Sequence, residues 1–120
     1  MRQETISEHA GGMWPWLFQR ITAVILIVGL SVRLFALHIV NLGSLSYDNV
    51  SARLASGFFI AVDFALLGAG LFHALNGLRM VLLDYGFTGG RGAALTAVLW
   101  VVGLGAFVYG TWALWPWLTA

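Results

Sequence analysis

The sequence has no cysteine, no lysine and only two prolines, and charged side chains make up 9% of its 120 residues. Without cysteine there is no disulfide-stapled secreted fold and no thiolate to hold an iron–sulfur cluster on this chain. Scarce charge excludes a solvated, disordered tail, and a net charge of +1 supplies no basic field for nucleic acid. Apolar residues take up the difference: they are 60% of the chain, and mean hydropathy is +0.88. A soluble domain is roughly half apolar and about a quarter charged. A chain this short also lacks the volume to hide so much apolar surface against itself. The composition is that of an integral membrane protein.

Spanning a bilayer takes about 20 largely apolar residues. Three stretches are long enough, at about Trp14 to Val40, Leu54 to Leu83 and Ala93 to Leu118. Apolar runs of this length are helices in lipid, because only a helix satisfies its own backbone there. The connections Asn41 to Arg53 and Asp84 to Gly92 are short and rich in turn formers, so neighbouring helices run antiparallel. The expected fold is an all-α membrane protein with three transmembrane helices, up-down-up, in a single anchor domain covering 1–120. A polar arm, 1–13, precedes the first span; it has no basic n-region or cleavage site and reads as a short cytoplasmic segment. Arg2 and Arg20, with Arg79 and Arg91 around the second loop, outweigh Arg53 and Arg33 on the other side, which puts the N-terminus and the Tyr85 loop in the cytoplasm. Trp14 and Trp16 mark one interface, and Trp112, Trp115 and Trp117 mark the other.

Ionisable groups within a membrane are costly and are functional candidates by default. His73 lies ~16 Å along the helix from Asp84. Gly70 and Gly77 share its face and leave flat space beside the imidazole, room for a planar macrocycle such as a b-type haem. Spacing alone leaves ligand and packing histidine evenly matched. Asp84 falls three turns from His73 on the same face, and Tyr85 follows it. A phenol and a carboxylate together suit a quinone headgroup, but the residues alone favour an ordinary helix end with a tyrosine in the aromatic belt. Arg20 and Arg79 suit propionates or a quinone carbonyl, or else lipid phosphate. Arg79 sits roughly 240° round from His73, which favours snorkelling. In the other half, Arg33 and Asp63 are positioned to neutralise one another between helices, and His38 is either a second haem ligand or an interfacial histidine. Gly89, Gly90 and Gly92 around Arg91 form a turn, and there is no zinc spacing, catalytic triad or phosphate loop.

The segment His73-Ala-Leu-Asn-Gly77-Leu-Arg-Met-Val-Leu-Leu-Asp84-Tyr85-Gly86 resembles the haem-and-quinone helix of succinate dehydrogenase (complex II) membrane anchors, where Gly follows His by four residues and Asp-Tyr by eleven. Gln19-Arg20-Ile-Thr22-Ala23 is similar to the family's Arg-x-Thr-Ala opening, and the three spans extend the match over nearly the whole chain. The Asp84-Tyr85 pair, and the absence of an Arg-Pro-x-Ser-Pro opening, make the chain more like the smaller of the two homologous anchors, although Gly77-Leu-Arg79 is similar to the larger. The resemblance implies one half of a heterodimeric six-helix anchor in the bacterial inner (cytoplasmic) membrane. It implies His73 as one axial ligand of a haem b shared with the second anchor, with Arg20, Gly70 and Gly77 beside the haem. It implies Tyr85 donating to a quinone substrate, Asp84 supporting it, and docking of an iron–sulfur subunit and a flavoprotein subunit that perform the chemistry on succinate. The alternatives are a haem-free fumarate reductase anchor, against which His73 argues, and a small proton-coupled transporter built on Asp63.

Overall fold

The structure is a computed structural model that describes residues 13–40 and 46–119. Except for Met13, the expected N-terminal arm therefore lies outside the described residues. Helix α1 runs over Met13–Phe35 and continues as a π-helical turn, Ala36–Val40. A short helix α2 spans Tyr47–Leu54, and the long helices α3 and α4 span Gly57–Asp84 and Gly90–Leu118. At 1.5 Å per residue the three long helices are about 34, 42 and 44 Å, each longer than the ~30 Å hydrocarbon layer. Length and composition qualify all three as membrane spans, and the protein is a multi-pass, all-helical membrane protein.

The molecule is a slender 60 × 26 × 20 Å rod whose burial is inverted relative to a soluble domain. Its outer surface is Ile, Leu, Val, Phe and Trp, with Ile27 68% and Val101 71% exposed. The most enclosed side chains are small or polar: Thr22, Ala36, Ala69 and Asn76. In lipid the apolar surface has nothing to gain from burial, so helices associate through close packing and hydrogen bonds.

Two connections show how local chemistry sets the topology. α3 ends in a Schellman motif: Gly86 N–H donates to the Leu83 carbonyl and Phe87 N–H to the Leu82 carbonyl. Gly86 holds φ at +96°, which a side chain would oppose. The chain then enters α4 through Gly89. A Cβ on Gly92 would stand 2.7 Å from the Phe87 carbonyl oxygen, so that glycine lets the turn lie flat on the first turn of α4.

The other connection is not wholly a loop. Residues 47–53, read from sequence as part of a turn-rich connection, and Leu54, read as the start of the second span, form α2, and α3 begins only at Gly57. Ser46 caps α2 by accepting from Asn49 N–H at 3.3 Å, and Asp48 stands in the positive first turn. Turn-forming residues are also cap-forming residues, which is why composition misread the segment. Trp117, expected at this interface, ties α4 to α2 by donating Nε1–H to Ser51 Oγ at 3.0 Å.

Candidate functional site

α1 and α3 meet along one seam. On α1 the contacting residues are Pro15, Gln19, Thr22, Leu26, Gly29 and Arg33, and on α3 they are Asp63, Leu66, Gly70, His73, Gly77 and Asn76. Apart from Asn76, which stands beside Gly77, steps alternate between three and four residues, the 3.5-residue repeat of two helices that wrap gently around each other. Pairing is antiparallel. Arg33 meets Asp63 at one end, Gly29 receives Leu66, Leu26 touches the place a Gly70 Cβ would take, and Asn76 reaches Pro15 at the other end.

His73 occupies the middle of this seam. Its Nδ1 lies 3.1 Å from the Gln19 carbonyl oxygen and 3.2 Å from Thr22 Oγ1. A carbonyl only accepts, so the Gln19 contact requires the proton on Nδ1 and leaves the lone pair on Nε2. Thr22 keeps its own proton on α1, donating to the Phe18 carbonyl at 2.7 Å. The Gln19 side chain then locks the register: its Nε2 donates to the His73 carbonyl at 3.1 Å, and its Oε1 accepts from Asn76 Nδ2 at 2.9 Å. Asn76 also donates to the Pro15 carbonyl at 3.0 Å. Gln19 and Asn76, which sequence reading passed over, are thus the residues that hold the histidine. Their signal was available: Gln19 falls on the three-four pattern and Asn76 directly beside it, among residues chosen elsewhere for lipid.

The glycines beside His73 serve two different neighbours. A Cβ on Gly77 would come 3.1 Å from Gln19 Nε2, so Gly77 makes room for the glutamine amide within this chain. A Cβ on Gly70 would meet only a Leu26 methyl at 3.8 Å, an ordinary contact. Arg20 leaves the seam, and its guanidinium lies over the Trp16 ring at 4.3 Å. Asp84 and Tyr85 are exposed at the end of α3, Tyr85 by 81%, and neither side chain hydrogen-bonds to another among the described residues. The structure therefore gathers His73, Gly70 and Gly77 on the seam and leaves Arg20, Asp84 and Tyr85 on the outside at the same end of the molecule.

Arg33 and Asp63 pair as expected, with Arg33 also 5.5 Å from the Phe59 ring. His38 is exposed, its Nδ1 3.3 Å from the Leu34 carbonyl of its own helix. Arg79 does not snorkel. It turns between α3 and α4, donates from Nε to Thr96 Oγ1 at 2.9 Å, and keeps Nη1 buried with no partner. Hydroxyl and guanidinium can meet there because Thr96 itself is fixed by donation to the Gly92 carbonyl. Among the described residues no three metal-ligating side chains converge, so His73 would offer iron a single nitrogen.

A helical membrane subunit with one oriented histidine in its main seam is the class these features define. The family model for succinate dehydrogenase/fumarate reductase transmembrane subunits matches residues 2–111, and the chain belongs to this family. It is 35% identical over 99 residues to the succinate dehydrogenase hydrophobic membrane anchor subunit of Archaeoglobus fulgidus, covering 82% of this chain and 85% of that one. It is 32% identical to the succinate dehydrogenase 2 membrane subunit SdhC of Mycobacterium tuberculosis, over 77% of this chain and 66% of the relative. A similar anchor from Halobacterium salinarum is 30% identical, over 67% of this chain and 62% of the relative. The chain thus spans somewhat less than two thirds of the length of two of these relatives.

Proposed function

We propose that this chain is a membrane anchor of a succinate:quinone oxidoreductase that shares a haem b with a second anchor. It docks the flavoprotein and iron–sulfur subunits at its Tyr85 end and completes a quinone site there. The observation that carries the proposal is the state of His73: Nδ1 is engaged by the Gln19 carbonyl, and Nε2 has no partner among the described residues. An N–H donated to a fixed carbonyl sets the tautomer and ring plane of a metal-binding histidine and raises its basicity. The residues fit the group on these grounds, with Gly70 one turn away on the His73 face and no side chain of the described residues on Nε2. Haem iron with two histidine ligands needs a second nitrogen, which a second anchor supplies. The haem provides a one-electron site inside the bilayer.

The arginine distribution supports a cytoplasmic Tyr85 end, in a membrane that we read as the bacterial inner one. There Tyr85 and Asp84, exposed and unpaired among the described residues, are free to meet a quinone headgroup under a docked subunit. Tyr85 donates its hydroxyl to a quinone carbonyl, and Asp84 accepts or relays a proton. Arg20, exposed at the same end and lying over the Trp16 ring, is the residue that would pair haem propionates.

The deciding experiment is the reduced-minus-oxidised absorption spectrum of the purified complex, for wild type and His73→Ala. Wild type shows a low-spin b-type spectrum, and His73→Ala loses or weakens it while remaining inserted, because one side chain hardly alters the apolar sum of a span. A wild-type complex without haem makes the chain a haem-free fumarate reductase anchor. A full spectrum in His73→Ala returns His73 to a packing role.

A further inference from the structure

The second interface of α3 holds a feature that the proposed haem and quinone roles do not use. Between α3 and α4, closed at one end by Trp14 and Pro15 of α1, lies a cavity of about 480 Å³. It extends from Arg79 and Thr96 to Gly68 and Phe107, eleven residues along each helix and so about 16 Å. That is the depth of one leaflet, half of the ~30 Å hydrocarbon layer. Its polar groups, Asn76, Arg79 and Thr96, all lie at the Tyr85 end, and the remainder of the lining is apolar. The rim residues Trp100 and Leu104 are 60% and 57% exposed, so the groove opens sideways into the bilayer.

Charge decides the occupant. Arg79 carries a positive charge about 7.5 Å along the helix from Asp84, and its buried Nη1 has no acceptor. Among the described residues the only ion pair is Arg33–Asp63, so no carboxylate of theirs neutralises it. Buried charges are ordinarily paired. An apolar helix from another subunit would fill the groove and leave the guanidinium unpaired, and a zwitterionic headgroup brings its own cation. A lipid with a net negative phosphate supplies both the anion and a chain of the right length.

We propose that this groove binds one anionic phospholipid from the leaflet at the Tyr85 end, with its phosphate on the Arg79 guanidinium and Thr96 and one acyl chain lying along α3 and α4 toward Phe107. Binding needs only membrane insertion and is independent of haem.

The test uses the protein purified with whatever subunits accompany it, reconstituted with phosphatidylglycerol or phosphatidylcholine, washed in detergent and examined by native mass spectrometry. Wild type retains one phosphatidylglycerol per copy and little phosphatidylcholine. Arg79→Gln retains about tenfold less, as loss of a charge-assisted contact implies, whereas Arg79→Lys keeps most of it. Gly68→Leu, which fills the apolar end without touching the charge, also lowers retention. Arg91→Gln, on the exposed start of α4, does not. Equal retention of both lipids, unchanged retention in Arg79→Gln, or quinone recovered in place of phospholipid overturns the proposal. So does a cross-link from another subunit formed at Leu104→Cys in the fully assembled protein. The haem spectrum of Arg79→Gln separates the two proposals, since lipid loss with an intact spectrum supports this one alone.

Discussion

Helix α3 has two neighbours and treats them differently. Toward α1 it presents Asp63, His73 and Asn76, and every one of them finds a polar partner across the seam. Toward α4 it presents Leu67, Leu75 and Gly68, which fit Gly110, Gly103 and Phe107, and its one polar tie is Arg79 to Thr96. The first interface is specified by hydrogen bonds; the second is specified by shape and holds a groove. In lipid, hydrogen bonds fix register and orientation, whereas leucine against glycine fixes only distance. An imidazole held for a purpose belongs on the first.

The sharpest way to break the contrast is at its charged end. Arg33→Met leaves Asp63 inside the span with no partner and should cost roughly 3–5 kcal/mol in the unfolding of the purified protein. Arg33→Met with Asp63→Leu should recover most of that loss. A double variant no better than the single one would show that the pair does not tie α1 to α3.

Gly92→Ala comes next. Its Cβ meets a backbone oxygen, at 2.7 Å, which cannot swing aside as a side chain would. A loss of about 1–3 kcal/mol is expected, with faster hydrogen exchange at residues 85–89 as the turn lifts. Unaltered exchange there would mean that the turn is not clamped by this contact.

Gln19→Leu keeps the volume but removes both side-chain bonds to α3. Interhelical hydrogen bonds in membranes average about 0.6 kcal/mol, so roughly 1 kcal/mol is expected. If the proposed ligation holds, the haem band should also broaden, because the ring next to the altered register is less well oriented. Stability equal to wild type would make the seam's hydrogen bonds incidental to its packing.

Gly110→Ala should do least, under about 1 kcal/mol, although its Cβ would stand 2.7 Å from Leu67 Cδ2. That atom is the end of a flexible, half-buried side chain and can turn away, as a backbone oxygen cannot. An effect as large as that of Gly92→Ala would show that the α4 interface is as exacting as the α1 interface.

Much of this molecule was legible before any coordinates. The three spans follow from the length of the apolar runs, the pairing of Arg33 with Asp63 from opposite charges in the same half of neighbouring spans, and the shared face of Gly70, His73 and Gly77 from counting residues at about 100° each. Helix α2 was missed because Ser46, Asp48 and Asn49 are equally good turn and cap residues, and only the chain's path selects between them. The turning of Arg79 toward Thr96 was missed for a different reason. Snorkelling to water and bonding to a neighbouring helix begin from the same position, and which occurs depends on what α4 places opposite.

The sequence by itself determined that this protein lies in a membrane as three helices, because partition into lipid is a sum over side chains and needs no knowledge of neighbours. The tertiary structure alone decided that Gln19 and Asn76 hold His73, and that the imidazole proton sits on Nδ1. Those contacts depend on the register between α1 and α3. A shift of one residue turns a side chain by about 100° and carries it off the seam, so only packed helices can say which polar groups meet.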